Sequence, residues 1–234
     1  MLPAPRVVPR CKSLCRPRRL YNLSSVPAVH LIAAFASPTV HARVGALLHH
    51  ITIAACDAGA VDIGWADLAP VSHGLPCPKI VYAYDKGARL FELPAQTGVR
   101  LGAGSPLSFL LVEWHFNLPG LGLADPELRA LRETSSVTLT VTPRLRRFDA
   151  AVVALADVTQ ALLAPAARPD AVFASGCGRA GTRRLLAHDL HLYGEVYPVA
   201  VHLHAHSRAT KLVLELWDGD SLHTEIGRIE PYGG

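Results

Sequence analysis

Three groups of histidine in this sequence carry side chains able to bind a metal ion. In Val201-His202-Leu203-His204-Ala205-His206, imidazole alternates with apolar residues. A strand there sends all three His to one face and Val201, Leu203 and Ala205 to the other. Same-face neighbours lie about 7 Å apart, so two imidazoles can converge on one ion, whereas His202 and His206 are too far apart to do so easily. An H-x-H pair of this kind is a good metal signal, and it suits zinc with a third ligand and water as in a hydrolase. It equally suits a polar strand face whose histidines are solvated.

His49 and His50 are adjacent and lead into Ile51-Thr52-Ile53-Ala54-Ala55-Cys56. Neighbours on a regular strand face opposite ways, so this pair shares an ion only where the ladder bends or ends. His115 lies within Leu110-Leu111-Val112-Glu113-Trp114-His115-Phe116, and a lone His in such an apolar strand is more often a core residue than a ligand.

The elements that must position these groups read as strands. His49 to Ala55, Lys79 to Tyr84, Phe109 to Phe116, Ser136 to Val141, Tyr197 to His206 and Lys211 to Trp217 are short, rich in Val, Ile, Leu and Thr, and bounded by Gly, Pro, Asp or Ser. Asp218-Gly219 between Lys211–Trp217 and Ser221–Arg228 signals a hairpin. Phe148 to Leu163 is Ala- and Leu-rich with three valines, which leaves helix and strand both open. The loop-like stretch Pro165 to Gly181 and the basic break Pro143 to Arg147 place a domain boundary near residue 145. The expected fold is all-β, with β-sandwich domains.

Half of the 234 residues are apolar, and mean hydropathy is +0.25, enough for a sizeable core. No uninterrupted apolar run is long enough to span a bilayer, since Pro27, His30, Pro38 and His41 break the nearest approach, Leu23 to Ala42. Arg6, Arg10, Lys12, Arg16, Arg18 and Arg19 crowd the N-terminus. Beyond them acidic residues slightly outnumber basic ones, which argues against a nucleic-acid partner. We expect residues 1–26 to be a basic, disordered segment; it shows no signal-peptide pattern, and its Arg-rich, acid-free character also fits an organelle transit peptide. The cysteines, Cys11, Cys15, Cys56, Cys77 and Cys177, form no zinc pattern with partner pairs.

In chain order these pieces resemble the copper type II, ascorbate-dependent monooxygenases, the family of dopamine β-hydroxylase and peptidylglycine α-hydroxylating monooxygenase. His30-Leu31-Ile32-Ala33 resembles the early strand of that family, and His49-His50 with Ile51 to Cys56 its H-H-apolar-C motif. Tyr82-Ala83-Tyr84, Leu93-Pro94 and Gly98-Val99-Arg100-Leu101-Gly102 resemble its Y-A-W, L-P and glycine-rich segment. Val112 to Phe116 resembles its V-H-Y strand, and Tyr197-Pro198 followed by His204-Ala205-His206 its H-T-H motif. The resemblance covers roughly residues 27 to 230.

It implies two jelly-roll-like β-sandwich domains: residues 27–145 with the electron-transfer copper on His49, His50 and His115, and residues 146–234, an incomplete sandwich, with the oxygen-binding copper on His204 and His206. It further implies a Cys56–Cys77 disulfide, ascorbate as reductant, O2 and a small-molecule substrate as partners, and a secretory or extracellular location. Two departures limit it. The thioether that completes the second copper site in this family has no counterpart, because Met1 is the only methionine; the expectation is a C-terminally truncated chain with its second site incomplete. The peptide-hydroxylating members carry an arginine two residues ahead of H-T-H, where this chain has His202, so an amine-hydroxylating relative is the nearer analogue. The competing reading is a catalytically inactive copper-binding remnant or a truncated gene model.

Overall fold

The computed structural model describes residues 2–3, 14–15, 18–41, 45–56, 77, 79–84, 90–117, 134–153, 172, 174, 176–184, 187, 196–205 and 209–231. Two compact units are distinguished: Met1–Ala150 with Val199–Gly234, and Ala151–Pro198. The fold is all-β. In chain order the strands are β1 (Leu2–Pro3), β2 (Leu14–Cys15), β3 (Arg18–Asn22), β4 (Val29–Ser37), β5 (Val40–His41), β6 (Gly45–Ala46), β7 (Leu48–Cys56) and β8 (Lys79–Tyr84). They continue with β9 (Leu90–Glu92), β10 (Thr97–Leu101), β11 (Phe109–Asn117), β12 (Ser136–Thr142), β13 (Phe148–Asp149), β14 (Leu212–Asp218) and β15 (Ser221–Ile229).

One sheet of the first unit has the order β1-β12-β4-β10-β13, with β9 also on β4; the other has β2-β11-β7-β8, with β3 also on β11. Pairing is antiparallel except between β10 and β13. Strand alternation explains the core between the sheets. Ile51, Ile53 and Ala55 of β7 and Leu110, Val112, Trp114 and Phe116 of β11 meet Leu31, Ala34, Ala36, Val99, Leu101 and Val137 of the other sheet. A register shift in β4 opposite Thr140 and Val141 keeps Leu31, Ala34 and Ala36 on one face despite their uneven spacing. The reverse face of β7 and β11 carries a smaller apolar cluster of Ala54, Cys56, Cys77, Phe109 and Leu111. Cys56 and Cys77 form a disulfide with Cα atoms 4.8 Å apart.

His30 is fully buried on the other side of β4, beneath the segment that leads out of β12. The Arg146 backbone N–H donates to its Nδ1 at 2.9 Å, so the ring proton sits on Nε2, 2.8 Å from Asp149 Oδ1. Gly98 makes room for this ring, since a Cβ there would lie 2.5 Å from His30 Cβ.

In the remainder of the first unit, β14 and β15 form a hairpin closed by Gly219-Asp220, with φ of 60° at Gly219. In the second unit the helix α1 (Arg179–Arg184) has no buried residue. No described helix is long and apolar enough to cross a membrane.

Three sequence expectations need revision or fall outside the description. Residues 1–26 are not uniformly irregular: Arg18–Asn22 pair with Glu113–Phe109 of β11, because Leu20 and Tyr21 supply apolar surface to a strand that the basic composition conceals. Tyr197–Ala205 is not a strand; alternation specifies which side chains share a face, but a strand also requires a ladder. Of the ambiguous Phe148–Leu163 stretch, Phe148–Asp149 is β13 and residues 154–163 lie outside the described residues.

Candidate metal centre

β7 and β11 place His50 directly opposite His115, after which Phe116 pairs with Leu48. His49 is thereby the inserted residue of a bulge, and a bulge re-aims a side chain that regular pleating would send to the far face. This is the bend that adjacent histidines need to share an ion. His49 and His50 Nδ1 atoms lie 2.9 Å apart, and His115 Nδ1 lies 2.8 Å from His50 Nε2 although 65 residues separate the two. Ring centroids are 5.0 Å apart for His49–His50, 5.2 Å for His49–His115 and 4.1 Å for His50–His115.

His49, His50 and His115 offer nitrogen atoms all within 4.8 Å of one another, on the scale that an ion with bonds of about 2 Å gathers. They could therefore hold a metal ion. The donor set is imidazole alone, which is compatible with a metal that alternates between Cu(I) and Cu(II). His115 is buried at 4% exposure, while His49 and His50 are half-buried. Behind them, Trp114 and Phe116 fix β11 in the core on its opposite face.

His204 is exposed, with its ring 6.0 Å from that of His50. The His202 and His204 rings lie 6.3 Å apart and nearly parallel, as expected of same-face neighbours in an extended chain. Val201 and Leu203 lie on the Gly227 side, 3.0 and 3.6 Å from where a Cβ there would stand. His206 lies outside the described residues, so its expected pairing with His204 has no geometry here.

Sequence reasoning passed over Arg18 and Glu113, which form an ion pair with side chains only 6% and 7% exposed. A signal was present: Glu113 interrupts an otherwise apolar strand two residues before His115, and a charge on such a face needs a partner.

Residues 12–121 match the family described as copper type II ascorbate-dependent monooxygenase, N-terminal domain. The chain is similar to the curated dopamine beta-hydroxylases of Canis lupus familiaris (28% identity over 176 residues, 73% of this chain and 27% of that protein) and Bos taurus (28% over 188 residues, 77% and 29%). It is also similar to DBH-like monooxygenase protein 1 of Gallus gallus, at 26% identity over 113 residues, 46% of this chain and 17% of that protein. The chain thus spans less than a third of the length of these relatives.

Proposed function

We propose, because residues 12–121 match the N-terminal domain of the copper type II, ascorbate-dependent monooxygenases, that the chain is of that family and that His49, His50 and His115 hold the electron-transfer copper of an oxidoreductase. Its substrate class is a small-molecule amine, whose aliphatic C–H bond is hydroxylated with O2 and ascorbate. When bound, copper at this centre supplies one-electron storage. The protein's part is to fix three imidazoles: β7 and β11 set two of them face to face, and the bulge at His49 turns the third toward them. That convergence is the observation carrying the reading. Burial of His115 against a rigid strand limits how far the donor set relaxes between oxidation states.

The same proposal divides the chain near residue 145 and assigns His204 and His206 to the oxygen-binding copper of residues 146–234. The Cys56–Cys77 disulfide supports a secretory or extracellular location. Met1 is the only methionine within these 234 residues, so taken by themselves they offer His204 and His206 no thioether of the kind that favours Cu(I). The 234-residue chain is accordingly expected to hold about one copper tightly and a second weakly, and to hydroxylate little, because an electron stored at one centre needs a competent second centre. Copper titration against a competing chelator, with O2 uptake followed under ascorbate, tests this. Two tight equivalents with coupled turnover would refute the weak second site; tight binding that survives loss of His115 would refute the first.

A further inference from the structure

We propose that Arg18, in its buried ion pair with Glu113, compensates a carboxylate beside the three-histidine centre and so keeps that charge from biasing the balance between Cu(I) and Cu(II); this rests on the copper reading above. The register shows why. Arg18 is the Cα partner of Glu113 across β3 and β11, Glu113 is the partner of Thr52 across β11 and β7, and His115 pairs with His50 one row further along the same face. On the other side of the ion pair, Leu20, Leu111 and Ala54 form an apolar row. The two charges therefore stand between apolar packing and the imidazoles, out of water.

A buried ion pair is weak support for stability, since desolvation offsets much of the attraction, and an apolar pair could fill this row. Unlike an apolar row, this one places a carboxylate about 7 Å, one same-face step, from His115, so the state of the centre depends on Arg18 being there to compensate it. At that distance a single uncompensated charge interacts appreciably with a metal even at an effective dielectric of about 20. Arg18 cancels the Glu113 charge, so the centre is spared a field that would favour the more positive Cu(II). The two residues act in opposite directions on one equilibrium, so the effect is read in each single variant and cancels when both are changed.

The test uses the full 234-residue chain loaded with copper at one fixed pH. Affinities for Cu(I) and Cu(II) are measured by chelator competition, and the reduction potential by equilibrium titration. Arg18→Met should shift the Cu(II)/Cu(I) affinity ratio about tenfold toward Cu(II), about 59 mV downward for a one-electron couple. Glu113→Gln should shift it about as far the other way. The double variant should return close to the parent, and Arg18→Lys, which keeps the charge if the chain tolerates no neutral residue, should restore it. Single variants that move the ratio in the same direction, or lower both affinities equally, would reduce the pair to a structural role and overturn the proposal while leaving the copper reading intact. A parent chain that takes up no copper through His49, His50 and His115 would sink both.

Discussion

The two histidine regions that look alike in sequence are built differently. His50 and His115 are fixed by a ladder, by burial, and by Trp114 and Phe116 behind them, and His49 joins them through a bulge. His202 and His204 keep the alternation of a strand, yet they are exposed and stand outside any strand. Spacing supplies candidate ligands in both places; only a paired strand supplies preorganised ones.

Removing one imidazole from each region puts this contrast to its largest test. His115→Ala should weaken the tight copper by roughly 1,000-fold, about 4 kcal/mol, as expected for one of a few ligands that share the binding free energy. His204→Ala should change that same affinity by only about threefold or less. Competition titrations compare them directly, and equal losses would mean that one centre draws on both regions.

How much of this was legible follows from what each signal encodes. The strands β7, β8, β11, β12, β14 and β15 could be read within one or two residues, because period-two apolar patterning and the Asp218-Gly219 turn are local. The all-β class followed. The convergence of His49, His50 and His115 was not local: it depends on a register and a bulge set by two strands far apart in sequence, and only the resemblance brought those residues together beforehand. Arg18–Glu113 was hidden for the same reason, since a basic N-terminus gives no hint that one of its arginines pairs with β11. Tyr197–Ala205 misled because a two-face pattern is necessary for a strand but not sufficient.

The disulfide belongs wholly to the ladder-built region, where it ties the end of β7 to the approach to β8. For a sequence separation of 21 residues, chain-entropy arguments give about 3 kcal/mol of stabilisation. Cys56→Ala with Cys77→Ala should lower the unfolding free energy of the sandwich by about that much in urea titrations. The alternative of no change would mean that the reduced chain is already constrained there.

Two glycines sharpen the contrast at a smaller scale. A methyl group at Gly98 would meet the Cβ and Cγ of His30, both 2.5 Å away on a fully buried ring held by Arg146 and Asp149. At Gly227 it would meet Val201 Cγ1 at 3.0 Å, on an exposed residue. Gly98→Ala should cost about 2 kcal/mol through overpacking, and Gly227→Ala about 0.5 kcal/mol or less, because Val201 can yield. Thermal unfolding of the two variants decides it, and comparable losses would show that the 201–205 segment is packed as firmly as the sandwich.

The smallest expected effect is on alkaline stability, and it again singles out the sandwich. Burial, reinforced by the neighbouring Tyr84, pushes the Tyr82 hydroxyl up to about 12 from its ordinary value of 10, against the opposing pull of a hydrogen bond with the Ala36 backbone. The folded state thus keeps its proton where the unfolded chain has already released it. The contribution is fully present below pH 10 and lost as pH rises toward 12; over that interval it amounts to about 1–2 kcal/mol. Tyr82→Phe should cost about 1 kcal/mol near neutrality, by losing the hydrogen bond with Ala36, yet flatten the fall in stability between pH 10 and 12. Urea midpoints measured across that range would show the two curves drawing together. Curves that stay parallel would mean that Tyr82 is not the group whose titration loosens the core.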